Sequence, residues 1–388
     1  MSNPSSSGRV YLDNAATTPV DERVIDAMTQ TLRASFGNPS ATHSLGRNAK
    51  GVLETARKQV ASYIGAQSKE IIFTSGGTEA DNLAIRCAVR DLGVKHIITS
   101  PIEHKAVLST SQEMAEEGIV KIHLLRVDSQ GVIDYNQLTQ LAEEYKGALI
   151  SLMHANNEIG TLIDYKRVSE IAKRNQCLFH SDTVQTMGHY AIDVVDFGAD
   201  FITCSAHKLN GPKGVGFLYV NANLKIKGLI TGGGQERSIR AGTENVAGIV
   251  GLQRALEIAV SELQEEAERI SSIRQYMRDS LNQTFPEILF NGHPDPNMCL
   301  YTVLSCSLPP TGNNELLLFQ LDMEGVCVSG GSACNSGAST GSHVLRAVGH
   351  ADDRQAIRFS FGRFSTKNDV DFAMEGLKKV LSASTIEA

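Results

Sequence analysis

Lys208 stands just past a short apolar run, Phe201 to Cys204, inside the stretch SAHKLNGPKGVG, 205–216. The glycines suggest a phosphate-cradling loop, but that signature needs Gly-Lys-Ser/Thr at its end, and Gly216 is followed by Phe217 and Leu218. What remains is an amine at the carboxyl end of a predicted buried strand, 200–204, where open α/β sheets place their chemistry. A primary amine there can condense with a carbonyl. By itself a strand-end lysine is more often a solvated charge.

Two other stretches have the same form. FTSGGTEADNLAI, 73–85, ends a strand with Ser-Gly-Gly-Thr and opens a helix, so free backbone N–H groups and the positive dipole end face whatever sits there. A phosphate is the natural guest, although a glycine turn capped by Thr78, with Glu79 or Asp81 in the first turn, accounts for the same residues. CLFHSDTVQ, 177–185, places His180 and Asp182 two apart and therefore on one face of a strand. Asp182 can pair with a cationic ligand nitrogen or cap the helix that follows. Taken together the three are far more specific than any one alone. Anchored phosphate, carboxylate-paired ring nitrogen and imine-forming lysine are the contacts that pyridoxal 5′-phosphate requires.

The chain resembles the cysteine desulfurases, in the long-loop subclass of the class V, fold-type I pyridoxal-phosphate enzymes. The resemblance runs through YLDNAATTPVD (11–21), FGNPSATH (36–43), SGGTEADN, EHKAV (103–107), NNEIG (156–160), HSDTVQ, SAHKLNGPKG and GGGQERSIRAGTEN (232–245). It continues to GGSAC (330–334) and IRFSFGRF (357–364), and so spans nearly the whole length. It implies an α/β fold, a mostly parallel sheet covered by helices with a smaller α+β domain, and conversion of L-cysteine to L-alanine with sulfur passing to an enzyme cysteine. It makes Lys208 the Schiff-base lysine, Asp182 the pyridinium partner, Gln185 and Asn157 neighbours of the phenolic oxygen, and His104 the ring-stacking and proton-transferring residue. Gly77, Thr78, Ser205 and His207 would hold the phosphate, joined by Thr243 from a second copy in a homodimer. Arg358, with Asn157, would receive the substrate carboxylate. Cys334 would carry the persulfide to a sulfur-acceptor protein, in iron–sulfur cluster assembly or another sulfur delivery. Selenocysteine lyase and aminotransferase activities share this scaffold, and a catalytically silent scaffold protein is the reading from another class. The chain ends at Ala388, shortly after GRF, where housekeeping members carry a longer docking tail, so the acceptor stays open.

Read from their own surroundings, these residues are less distinctive. His104 reads equally as a partly buried histidine or a helix cap. Its flat ring and near-neutral titration suit stacking and proton transfer. In AIRFSFGRF, Arg358, Ser360 and Gly362 alternate with Ile357, Phe359 and Phe361, which predicts a half-buried strand with one polar side. A guanidinium there can grip a carboxylate with two parallel bonds. Cys87, Cys177, Cys204, Cys299, Cys306 and Cys327 lie in or beside apolar runs and read as small buried hydrophobes. Cys334 lies in SGGSACNSGASTG with almost no apolar neighbours, a composition that predicts a mobile loop over 329–342. A metal set of Cys327, Cys334, His343 and His350 lacks the close cysteine pairs of structural zinc sites, and no metal is expected.

The elements that must position these groups follow from periodicity. Apolar runs at 71–74, 96–100, 121–127, 148–154, 177–182, 201–204 and 216–220 alternate with helical patterns, the rhythm of βαβ units. From about Glu244 to Gln283 the spacing predicts one long helix that Pro286 ends. Apolar runs at 299–306 and 356–361 and a last helix from about Asp369 form a smaller α+β unit. The division expected is a large domain over 14–260 and a small one from 1–13 plus 261–388. Net charge of −7 without any Lys/Arg block argues against a nucleic-acid surface, and no apolar run is long enough to span a bilayer. Seven cysteines at irregular spacing do not make a disulfide framework. The opening MSNPSSSGR lacks the apolar core of a signal peptide and reads as a tail, so a cytoplasmic location is expected.

Overall fold

The computed structural model describes residues 8–309, 316–330, 341–351 and 353–386. The chain enters through β1 (Val10–Tyr11), α1 (Glu22–Ala34) and α2 (Ser44–Tyr63). The alternating segment then runs β2 (Ile71–Thr74), α3 (Gly77–Leu92), β3 (His96–Thr99), α4 (Lys105–Glu116), β4 (Lys121–Leu124) and α5 (Tyr135–Glu144). It continues with β5 (Leu149–Ser151), α6 (Tyr165–Arg174), β6 (Leu178–Asp182), α7 (Val194–Phe197), β7 (Phe201–Ser205) and β8 (Gly216–Val220). These strands form one seven-stranded sheet in the order β2-β8-β7-β6-β5-β3-β4. β3 to β7 are parallel, and β8 runs antiparallel between β7 and β2.

The near-continuous apolar runs of the inner strands reflect burial on both faces. Ile71, Phe73, Ile150, Phe179, Ile202 and Phe217 point into one core beneath α2 and α6. Ile72, Ile97, Leu149, Phe201 and Leu218 point into the other, against α3 and α4. One-residue alternation thus divides each strand between two cores. The strands are one to four residues shorter than several of the apolar runs that announced them. In the 148–154 run only 149–151 pair, and the following residues turn away into the site.

The predicted long helix is two helices, α8 (Val246–Ser261) and α9 (Leu263–Thr284), broken at Glu262. The physical reason lies in that side chain. Glu262 takes Arg23 Nη1 on one carboxylate oxygen at 2.6 Å and Arg363 Nη1 on the other, and its backbone leaves the helical region at φ −109°, ψ 10°. Periodicity alone carries no sign of this, because the apolar spacing continues across the break.

After α9 come β9 (Leu289–Asn291), β10 (Val303–Ser307), α10 (Leu317–Met323), β11 (Val326–Cys327), α11 (His343–Ala347), β12 (Ala356–Ser360) and α12 (Lys367–Ile386). β12, β10 and β9 form an antiparallel three-stranded sheet, and β1 pairs with β11. Val10 and Leu12 pack in a core with Ile273, Met277, Leu304, Ile357, Phe359 and Leu377, so the first strand is held by the last third of the chain. The expectation of a half-buried β12 is corrected here: all five of its residues are buried. Its polar side faces not water but other protein groups: Arg358, 1% exposed, donates to Asp13 and the Asn157 carbonyl, and Ser360 Oγ accepts the Ala15 N–H.

Candidate active site

The carboxyl ends of β2, β3, β5, β6 and β7 open into one cavity of about 370 Å³. Lys208, Asp182, His104, Asn157, Gln185, Gly77, Thr78, Ser205, His207 and Arg358 all line it. Every site residue drawn from the sequence is therefore brought together except two. Thr243 borders a separate depression with Glu236, Arg240 and Asn245, and Cys334 lies outside the described residues.

Several of these groups are placed by the end of a strand. β2 gives way to α3 through Gly76, at φ 154°, a backbone geometry that favours glycine. A Cβ on Gly77 would meet Val184 Cγ2 at 2.8 Å, so the helix start can sit against the 182–185 turn only without a side chain. Gly76, not Thr78, is the residue preceding the helix, which leaves the Thr78 hydroxyl at the cavity wall. The first-turn N–H groups of a 16-residue helix then face the cavity.

Asp182 ends β6 and its Oδ1 accepts the Val184 N–H at 2.8 Å, so it is a turn cap and a site carboxylate together. Burial and the charge of Asp81 raise its carboxyl above the ordinary range, while His104 opposes the shift. Asp81 itself, 1% exposed on α3, is pushed up to about 7 by burial. Its Oδ1 has no hydrogen-bond partner among the described residues and sits 3.4 Å from His180 Nε2. His180 stands behind the cavity wall, neutral, held down to about 4 by burial, with Ser151 Oγ on one ring nitrogen and Thr203 Oγ1 on the other. Two buried carboxyl groups beside a neutral imidazole call for a cation, which a protonated aromatic ring nitrogen supplies.

A metal ion fits less well, although Asp81, His104 and Asp182 bring ligand atoms within 4.8 Å of one another. His104 caps α4, with Nδ1 accepting the Ala106 N–H at 3.1 Å. In the neutral ring the proton is then on Nε2, which offers a donor where a metal needs a lone pair. Burial lowers the ring's affinity for a second proton, and Asp182 raises it.

Lys208 ends a short 3₁₀ turn, Ala206–Lys208, directly after β7. Its Nζ donates to the Ala15 and Ala16 carbonyls at 2.5 and 2.7 Å, and Gln185 Nε2 donates to the same Ala15 carbonyl at 3.1 Å. Across the cavity Arg358 donates Nη2–H to Asp13 Oδ1 at 2.8 Å and Nη1–H to the Asn157 carbonyl at 2.8 Å. Its Nε has no partner among the described residues. Asp13 and the Asn157 carbonyl thus hold a nearly fully buried guanidinium at the cavity wall.

Four neighbours escaped sequence reasoning. Asp13 lies in the quoted YLDNAATTP stretch, but its pairing with Arg358 spans the chain. Asp81 lies in SGGTEADN, where the sequence marks it only as a first-turn acid. Glu158 receives a hydrogen bond from Ser342, and His343 Nε2 lies 2.9 Å from the Glu103 carbonyl. The sequence offers His343 only as a member of a metal set.

Strand-end lysine, buried carboxylate, glycine-started helix and buried arginine in one cavity define a pyridoxal-phosphate enzyme of the aminotransferase type. The class-V aminotransferase family model matches residues 10–372. Among curated proteins the chain is 43% identical over 376 residues to cysteine desulfurase IscS of Dictyoglomus turgidum, covering 96% of this chain and 94% of that one. It is also 43% identical over 383 residues to the putative cysteine desulfurase IscS 1 of Bacillus subtilis, covering 97% and 100%. A solved NifS-like protein superposes with a TM-score of 0.89 at 37% identity, over 97% of this chain and 100% of the other. The protein SspA, solved in complex with cysteine, superposes with a TM-score of 0.78 at 33% identity, over 90% and 98%. The chain belongs to the class-V aminotransferases and, within them, to the cysteine desulfurases; its cofactor is pyridoxal 5′-phosphate.

Proposed function

We propose that this chain removes sulfur from L-cysteine, releases L-alanine, and holds the sulfur as a persulfide on Cys334 for delivery to an acceptor protein. The reading is carried by one observation, the convergence of Lys208, Asp182, the start of α3 and Arg358 on a single cavity. Lys208 would hold the cofactor's aldehyde carbon, Asp182 its ring nitrogen, and His104 its face. Gly77, Thr78, Ser205 and His207 surround the place for its phosphate, with Gln185 and Asn157 beside its phenolic oxygen. When bound, the cofactor withdraws electrons from the α-carbon of the amino acid.

The rest falls to side chains. Arg358, oriented by Asp13, takes the substrate carboxylate and so fixes the α-carbon over the site. His104 keeps its Nε2 proton as a donor toward the bound molecules, since Nδ1 is engaged by Ala106. The Cys334 thiolate then attacks the substrate sulfur: an S–S bond forms and the carbon–sulfur bond breaks. The electron pair goes to carbon, which takes up a proton to complete L-alanine. A second copy of the chain is proposed to supply Thr243 to the phosphate, which accounts for its distance from the cavity here. We place the border between the large and small units at residues 13–14 and 260–261, close to the Glu262 break, with Cys334 on the small unit.

Among the described residues no helix is long and apolar enough to cross a membrane, and we place the protein in the cytoplasm, although a 39% identical relative is named mitosomal. Incubation of the cofactor-loaded protein with L-cysteine and a thiol reductant tests the reading. Equimolar sulfide and L-alanine support it. 3-Mercaptopyruvate formed without sulfide would replace it with transamination, and turnover confined to selenocysteine would replace it with the lyase.

A further inference from the structure

An amino acid arrives with its nitrogen as an ammonium, and that nitrogen must lose a proton before its lone pair can attack a carbonyl-type carbon. Few bases lining the cavity can take that proton. Lys208 and Asp182 are committed to the cofactor. His104 has spent its one free lone pair on the Ala106 N–H. His207 is held down to about 4 by burial and by Lys208, with Nδ1 3.2 Å from the Thr17 hydroxyl. Glu158 receives the Ser342 hydroxyl; burial raises its carboxyl above the ordinary range, but that range starts about 2 below an imidazole's.

His343 differs from all of these. Its Nε2 lies 2.9 Å from the Glu103 backbone carbonyl, and a carbonyl only accepts, so Nε2 carries the proton and Nδ1 keeps its lone pair. Nδ1 has no hydrogen-bond partner among the described residues. The ring is held rigidly, because α11 packs Val344, Leu345 and Val348 against Ile102 and Ile159 of the large sheet's loops. The charged groups facing it are Glu158 and His104, with Arg358 and Lys105 also acting on Glu158.

We propose that His343 is the base that takes the proton from the ammonium group of the incoming amino acid. The N–H bond breaks with its electron pair left on the substrate nitrogen, and the proton goes to Nδ1. The imidazolium so formed keeps its Nε2–H on the Glu103 carbonyl and lies beside the Glu158 carboxylate, which offsets its charge. This assignment rests on the reading of the cavity as an amino-acid site given above, and concerns how that substrate is made reactive.

The test is His343→Gln in the cofactor-loaded enzyme, since glutamine can still donate an N–H to Glu103 but cannot titrate. Near neutral pH, kcat/KM for L-cysteine should fall by about 100-fold, the lower end of general-base contributions. The deficit should shrink as pH rises and solution removes the ammonium proton. Added imidazole should restore part of the loss at neutral pH. A second readout is L-alanine binding, followed by the cofactor's absorbance: its acid limb should move to higher pH in the variant. Cofactor content equal to the parent's establishes that the variant is folded. A deficit of the same size at every pH, or none, with unmoved L-alanine binding, overturns the proposal. A parent enzyme that yields neither sulfide nor L-alanine would instead overturn the desulfurase reading.

Discussion

Glu103 is a buried carboxyl next to the site, 1% exposed, whose pKa is pushed up to about 8 by burial, with Asp182 and Asp81 adding to the shift. Its Oε1 pairs with Ser100 Oγ at 2.7 Å and its Oε2 accepts the Met153 N–H at 2.8 Å. The folded-state value lies above the ordinary 4.5, so the native state holds a proton that the unfolded chain releases. The associated stability is present in full below about pH 4.5 and is lost as pH rises through about 8. Between about pH 5.5 and pH 8.5 the loss is about 3 kcal/mol, at about 1.4 kcal/mol per pH step over most of that span. Glu103→Gln mimics the protonated acid: its carbonyl can accept from Met153 and its amide can donate to Ser100. Equilibrium urea unfolding of cofactor-free parent and variant at the two pH values reads Glu103 together with its coupling to Asp182 and Asp81, because the titrations it does not touch cancel in the difference. The variant should gain about 3 kcal/mol on the parent as pH rises. Two curves that stay parallel would refute the buried-acid account of Glu103.

Three further outcomes follow from other contacts. Arg57 and Glu236 form a buried two-point ion pair, at 2.6 Å on each arm, that holds the 236–238 segment in three successive positive-φ conformations. Arg57→Met should cost about 3–5 kcal/mol in unfolding because Glu236 is left buried and unpaired, while the double change Arg57→Met with Glu236→Leu should cost clearly less. Arg358→Lys loses the planar donor edge, and KM for L-cysteine should rise about 10- to 100-fold with a smaller change in kcat, as steady-state kinetics would show. Asp182→Asn removes the counter-charge for the ring nitrogen and should weaken cofactor retention on gel filtration, with the loss readable from absorbance.

The strands around the site were legible because burial on both faces forces continuous apolar runs, and the chemistry sits where those runs stop: Asp182 at the end of β6, Lys208 after β7. Local spacing could not reveal that Glu262 breaks the helix, since the break comes from Arg23 and Arg363, far away in the chain. Nor could it pair Asp13 with Arg358, which are brought together only when β12 docks beside the 12–14 segment. Alternation in 356–361 correctly separated the polar from the apolar face of that strand, but alternation says which residues share a face and not whether water reaches it. His343 escaped for the same reason: a single histidine gains meaning only from the carbonyl it binds and the cavity it borders.

The central claim is that sulfur moves from the amino acid bound at Lys208 and Arg358 onto the thiol of Cys334. Its most direct test is one turnover of cofactor-loaded enzyme with L-cysteine and no reductant, followed by mass spectrometry of the peptide that contains residue 334. The account predicts one added sulfur atom on Cys334, L-alanine released in equal amount, and neither product in a Lys208→Ala variant. L-Alanine formed with Cys334 unmodified, or sulfur found on another cysteine while Cys334→Ala keeps full activity, would contradict it.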